Sequence, residues 1–195
     1  MSAVDPVVEG RTEMVRKILD LGERFVMQRG YHAFSYQHVA EELDVKPAAV
    51  HYHFRTKPDL VAAVLDRYHA RFHRWAEARR DAPPMQRLVD YVQLSRDIVA
   101  AERVCALGMM ATQFGTVPEE VQDRTMALQA EIFGWLESML EEGRAQGVFA
   151  FQGPASARAA ELGCTVLGAQ QLGRVRGPEA FEAVAAQIPR SLAAT

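Results

Sequence analysis

Between Lys46 and Lys57 the chain reads Lys-Pro-Ala-Ala-Val-His-Tyr-His-Phe-Arg-Thr-Lys, a run whose residue types suit contact with a polyanion. The two lysines, of three in the whole chain, are spaced to hold two phosphates. Ala48 and Ala49 are small enough to let a helix approach base edges, and their methyls can meet thymine methyls. His51, Tyr52 and His53 can donate to phosphates without carrying a full charge, and Tyr36 is a further donor near a helix N-terminus, an anion-friendly place. Two other constellations carry less chemistry. Asp66-x-x-His69 occurs once, where a di-iron bundle needs two Glu-x-x-His pairs and further carboxylates. His69 and His73 share the i, i+4 spacing of a metal pair but lack the glutamate of a metalloprotease helix, so a solvated helix face is the expected reading. No phosphate-binding glycine loop, nucleophile elbow or catalytic carboxylate pair is found. The chain is therefore expected not to be an enzyme and to need neither metal nor cofactor.

The elements that must position these residues are helical throughout. From Thr12 to Arg29, Val15, Ile18, Leu19, Phe25 and Val26 recur on one helical face, with Thr12 as N-cap and Gly30 as terminator. A short second helix follows Ser35 and ends at Asp44, expected in the left-handed conformation. Pro47 opens a third helix to His53, its missing N–H costing nothing at a first helical position. Thr56 caps a fourth helix running to about Arg79. Beyond the linker Asp81-Ala-Pro-Pro84, helices are expected near 84–100, 102–114, 118–146, 154–175 and 178–193. The fold class is all-α, with about nine helices. The division expected is a helix-turn-helix DNA-binding domain at 1–56, a connecting helix at 57–80 and a ligand-binding and dimerisation domain at 81–195.

Three short helices with a tight turn describe a helix-turn-helix, which lays its last helix in a DNA major groove. Small bundles that never touch DNA share this pattern, and the residues decide between them. Gly30-Tyr31, Ser35, Val39-Ala40-Glu41-Glu42-Leu43, Val45, then Val50-His-Tyr-His-Phe-Arg-Thr-Lys57 and Leu60 resemble the N-terminal signature of TetR-type transcriptional regulators. The resemblance covers about residues 11–65. It implies DNA contacts from Tyr36, Lys46, Pro47, Ala48, Ala49, His51, Tyr52, His53 and Lys57. The chain departs from the family's usual Gly, small hydroxyl, Gly, Thr and Tyr at Asp44, Lys46, Ala48, Ala49 and His51. Base contacts and operator therefore cannot be copied from relatives.

For the remainder, the resemblance implies a pocket among the middle helices and a homodimer through the last two. Small residues in 154–175 (Ala157, Ala159, Ala160, Gly163, Gly168, Gly173) permit close packing, and Phe181, Val184, Ala185, Ile188 and Leu192 form a stripe that suits either an interface or an internal core. Tyr91, Leu94, Met109, Met110, Phe114, Phe133, Trp135 and Met139 are candidates to line an apolar cavity, with Gln113 and Gln170 as orienting polar groups. Cys105, in Val-Cys-Ala-Leu-Gly108, resembles a segment of a family branch that includes electrophile and oxidant sensors, and Arg103 stands two residues before it. Against sensing stands ordinary burial of an inert thiol. Cys164 is expected to be structural.

The resulting expectation is a ligand-responsive repressor that binds double-stranded, pseudo-palindromic operator DNA as a homodimer and is released by a small, largely apolar effector. Two alternatives stand beside it: a thiol-based sensor using Cys105, and a helical ligand-binding adaptor without DNA binding. The longest apolar run, Val104 to Ala111, is too short to span a membrane, and Met1–Gly10 lacks a signal pattern, so a cytoplasmic location is expected. Net charge is −3, from 22 Lys and Arg against 25 Asp and Glu, which speaks against DNA until it is divided. Residues 1–80 sum to +2 and residues 81–195 to −5, and all six histidines lie in the first 73 positions.

Overall fold

A computed structural model describes residues 13–193. Thr12, read as the cap of the first helix, and the segment tested for a signal pattern lie outside the described residues. The apolar face predicted for the first helix is the buried one: Ile18, Leu19, Phe25 and Val26 are at most 1% exposed in α1, Glu13–Arg29. Gly30, at φ +77°, closes it, with its N–H on the Val26 carbonyl at 3.0 Å.

Helix α2 is Tyr36–Leu43 and ends as predicted at Asp44, φ +54°. The Val45 N–H reaches the Ala40 carbonyl (3.0 Å) and the Asp44 N–H the Glu41 carbonyl (3.2 Å), a Schellman cap with aspartate where glycine is usual. Helix α3 is Pro47–His53, with Val50 and Phe54 turned inward. Helix α4, Lys57–Glu77, starts at a reciprocal cap: the Thr56 N–H donates to Asp59 Oδ2 (2.9 Å) and the Asp59 N–H to Thr56 Oγ1 (3.3 Å).

The later helices are α5 (Pro84–Ala100), α6 (Ala106–Ala111), α7 (Glu119–Ala145), α8 (Ala155–Arg176), α9 (Pro178–Ala185) and the single turn α10 (Gln187–Arg190), with a 3₁₀ turn at Phe114–Thr116. Two segments differ from the sequence reading. The expected helix 102–114 is shortened to α6, because Glu102 takes a left-handed conformation at φ +56° and residues 103–105 remain extended or irregular. The expected helix 178–193 breaks after Ala185. Pro189 has no N–H for the Ala185 carbonyl, and a proline ring crowds the carbonyl four residues before it. No element among the described residues is a strand; a lone antiparallel bridge joins Phe149 and Ala193. No described helix is long and apolar enough to cross a membrane.

These helices group into two compact units. The first contains the described residues through Arg74 together with Ala106–Gln129, so α6 and the first part of α7 join α1–α3 and most of α4. Its helix pairs include α1 with α2, α2 with α3, and α1 with α6. A buried ion cluster pins α4 to α1. Arg67 donates to the Leu19 carbonyl (2.9 Å), Glu23 Oε2 (2.8 Å) and Asp20 Oδ1 (2.7 Å), and Arg71 grips the same Glu23 at 2.6 and 3.0 Å. Burial by itself would raise the Glu23 carboxyl, but the two guanidiniums outweigh it and hold the group below the usual carboxylate range.

The second unit contains Trp75–Cys105 and the described residues from Ala130 onward. There α8 packs on α9 and α5, and α5 also meets α9. Arg96 of α5 forms a forked pair with Glu182 of α9. Glycine makes one approach possible: a Cβ on Gly143 would stand 2.1 Å from the Phe149 ring, itself 2% exposed. The Gly143 carbonyl also accepts from the N–H groups of Val148 (2.8 Å) and Phe149 (3.1 Å), ending α7 beneath that ring. Gly143→Ala is expected to lower stability by about 1–3 kcal/mol, the cost of forcing a packed ring aside. A urea titration checks it, and an unchanged midpoint would mean that the ring yields freely.

Candidate nucleic-acid interface

The turn between α2 and α3 holds the third helix so that one face closes on the core and the other faces solvent. Val50 is fully buried, whereas Lys46, Ala48, His51 and Tyr52 are exposed and Pro47, Ala49 and His53 half-buried. Tyr52 is 83% exposed, with its ring edge-on to His53 at 5.0 Å. An exposed aromatic on a seven-residue helix contributes nothing to the core of the unit, which fits a side chain kept for a partner. Lys46, exposed at the N-terminus of α3, adds charge where backbone N–H groups already favour an anion.

Two of the residues expected to contact DNA are instead used within the chain. Tyr36 is buried, and its hydroxyl donates to the Thr56 carbonyl. Burial, with the Asp59 carboxylate, pushes its phenol well up. Lys57 turns its ammonium onto the Phe34 carbonyl (2.6 Å) and over the rings of Tyr31 (4.6 Å) and Phe34 (4.5 Å), and burial lowers its ordinary value. In the chain itself these groups have internal partners: Tyr36 braces α2 against the turn before α4, and Lys57 holds the start of α4. Both lie next to a helix start, and sequence spacing alone did not separate bracing from binding.

The exposed imidazoles have defined roles as well. His38 Nδ1 accepts the Ser35 N–H (3.1 Å) at the start of α2, and His51 Nδ1 lies 3.2 Å from the Arg55 carbonyl. The signal for the first was present in the sequence as the Ser-x-x-His spacing at the helix start, a variant of the capping box.

The candidates for an apolar cavity fall into both units. Trp135 meets Trp75 edge-on (ring centroids 5.2 Å apart) and Tyr91 at a tilt (5.8 Å) in the second unit. Burial pushes the Tyr91 phenol well up, with a smaller contribution from Cys105. Leu94 is half-buried on the same helix as Tyr91. Gln170 is buried, and its side-chain oxygen accepts the Cys105 N–H at 2.8 Å. Cys105 is 6% exposed and Cys164 is exposed. Met109 and Gln113 belong to the first unit. The Gln113 amide oxygen accepts the Tyr31 N–H at 2.6 Å, just past the end of α1. Among the described residues no group of three or more His, Cys, Asp or Glu side chains is placed to hold a metal.

A solvent-facing third helix on a helix-turn-helix, in an all-α chain, is the arrangement by which a helical unit can present one helix to DNA. Residues 18–64 match the family model for bacterial regulatory proteins of the tetR family. The N-terminal part of the chain thus carries the helix-turn-helix pattern of TetR-type regulators. Its fold is similar to that of a TetR-family transcriptional regulator from Agrobacterium tumefaciens, 26% identical, with a TM-score of 0.87 over 92% of this chain and 97% of that one. It is similar in fold to a TetR transcriptional regulator from Legionella pneumophila, at 24% identity and a TM-score of 0.84, covering 93% of this chain and 98% of that one. AibR, solved in complex with isovaleryl coenzyme A and operator DNA, is 21% identical with a TM-score of 0.72, covering 91% of this chain and 96% of that one. No curated protein sequence matches the chain.

Proposed function

We propose that this chain is a ligand-responsive repressor that binds a pseudo-palindromic operator as a homodimer in the cytoplasm. The observation that carries the reading is the outward face of α3, where Lys46, Ala48, Ala49, His51, Tyr52 and His53 present charge, small methyls and polar donors together. Residues 1–56 form the DNA-binding domain in this proposal, 57–80 the connecting helix, and 81–195 the part that takes effector and partner subunit. AibR, of the same fold, takes both an acyl-coenzyme A and operator DNA, which supports a two-ligand regulator.

The effector class that fits the candidate side chains is small and largely apolar, with Tyr91, Leu94 and Trp135 supplying the apolar surface. Release then requires an effector that prefers the DNA-incompetent state, since equal affinity for both states shifts nothing. Successive major-groove faces lie about 34 Å apart, so a few ångströms of respacing between two recognition helices misaligns the second half-site. Cys105 is a packing residue in this reading, because a thiol 6% exposed is poorly open to attack.

The test is a selection of genomic fragments followed by titration of the enriched duplex at several salt concentrations. Wild type is expected to give a salt-sensitive, competitor-resistant complex. Lys46→Ala is expected to weaken binding to all sequences alike and to reduce the salt slope by about one for each protomer. Failure to enrich any fragment would sink the repressor reading and leave the helical adaptor in its place.

A further inference from the structure

His51 occupies the position where the chain departs from the TetR-type pattern of tyrosine, and its ring is held from two sides. Its Nδ1 lies 3.2 Å from the Arg55 carbonyl oxygen, and its plane meets the Tyr36 ring at 63° with centroids 4.5 Å apart. Tyr36 is itself fixed, because its hydroxyl donates to the Thr56 carbonyl. A carbonyl oxygen only accepts, so the proton of neutral His51 must sit on Nδ1. The opposite nitrogen, Nε2, is then a lone-pair acceptor on the exposed side of α3. Adding a proton there converts Nε2 to a charged donor and leaves the Arg55 contact intact, since Nδ1 already donates.

His38, the exposed imidazole on α2, behaves in the opposite way. Its Nδ1 accepts the Ser35 N–H at 3.1 Å, so protonating that nitrogen would abolish the contact that starts α2. His51 can charge without giving up its intrachain bond, whereas His38 charges at Nδ1 only by losing one. Tyr36 faces His51 from α2; Arg55 meets it through its carbonyl; Tyr52 and His53 pair with each other beside it on α3. At the start of α4, the Asp59 carboxylate acts on Tyr36 and the Lys57 ammonium is turned to Phe34.

Major-groove edges offer donors at adenine N6 and cytosine N4, and acceptors at guanine N7 and O6, adenine N7 and thymine O4; phosphate oxygens are acceptors only. Resting on the reading that α3 enters the groove, we propose that His51 is a proton-linked specificity residue. Neutral, its Nε2 accepts from adenine N6 or cytosine N4; protonated, the same atom donates to a purine N7, guanine O6, thymine O4 or phosphate, and only binding in that second mode takes up a proton.

The experiment is a selection from random-sequence duplexes at about pH 6 and about pH 8, on either side of the ordinary imidazole range. Wild type, His51→Gln and His73→Gln are compared, with affinities for the enriched duplexes measured at constant ionic strength. Wild type is expected to bind the duplex enriched at the lower pH at least about fivefold more tightly there for each recognition helix, within the limit of about tenfold per pH unit that one linked proton sets. His51→Gln loses this response and His73→Gln, outside the recognition surface, keeps it. A base preference that changes with pH at one base pair per half-site places Nε2 on a base edge, and a uniform gain across sequences places it on phosphate. A flat wild-type response, or one that His51→Gln retains, overturns the proposal while DNA binding stands. If wild type enriches no duplex at either pH, the DNA-binding reading falls and this proposal with it.

Discussion

Arg67→Ala is expected to lower stability by about 3–5 kcal/mol, the largest single-residue effect in the first unit, because it leaves a buried carboxylate with half its compensation. Arg67 and Glu23 side chains are 6% and 8% exposed, so solvent does little to screen either. Asp20 and the Leu19 carbonyl lose their donor in the same step. Thermal or urea unfolding of the two proteins checks it; a loss below about 1 kcal/mol would show the cluster behaving as an ordinary surface pair. Replacing both members, Arg67→Met with Glu23→Leu, should recover most of the loss, since the penalty lies in a stranded charge rather than in the pair itself. The pH dependence has a definite sign. The folded Glu23 carboxyl is depressed, so its contribution is complete above the unfolded value, about 4.3, and disappears as pH falls through the folded one. The advantage of wild type over Glu23→Gln should therefore be present at neutral pH and narrow below about pH 4.

Tyr52→Ala is expected to do the reverse: stability within about 0.5 kcal/mol of wild type, and operator affinity reduced about 10- to 100-fold. A side chain 83% exposed has almost no burial to lose. Its polar and aromatic surface is available to DNA, where removing one good contact costs about 1–3 kcal/mol. Fluorescence anisotropy on an enriched duplex beside a thermal melt separates the two quantities. Unchanged affinity would remove Tyr52 from the interface, and a large fall in melting temperature would reassign it to the fold.

The two tyrosines at 36 and 52 show how far residue types can be read without coordinates. Both are aromatic, both sit beside the turn of a helix-turn-helix, and both were assigned to DNA. Periodicity placed Val50 and Phe54 inside and so, by exclusion, left Tyr52 outside. Nothing in the local pattern revealed that the Tyr36 hydroxyl would meet a carbonyl 20 positions later. Lys57 went the same way, drawn to the Phe34 carbonyl by a contact spanning 23 residues. The helix expected over 178–193 breaks after Ala185 for another reason: the apolar stripe continues through Pro189, whose missing N–H interrupts the helical bonds.

By itself the sequence determined the helices whose boundaries rest on local chemistry. Asp44 ends α2, Pro47 opens α3, Thr56 caps α4 and the buried face of α1 follows its own spacing, because capping and amphipathicity act within a few residues. The stretch from Lys46 to Lys57 likewise pointed to DNA through residue types alone. Only the tertiary structure decided which of those polar groups are spent internally, that Gln113 and α6 belong with the DNA-binding helices, and that Arg67 meets Glu23 from 44 positions away. Such pairings depend on how separate helices pack, and helical spacing says which face is apolar without saying which other face it will find.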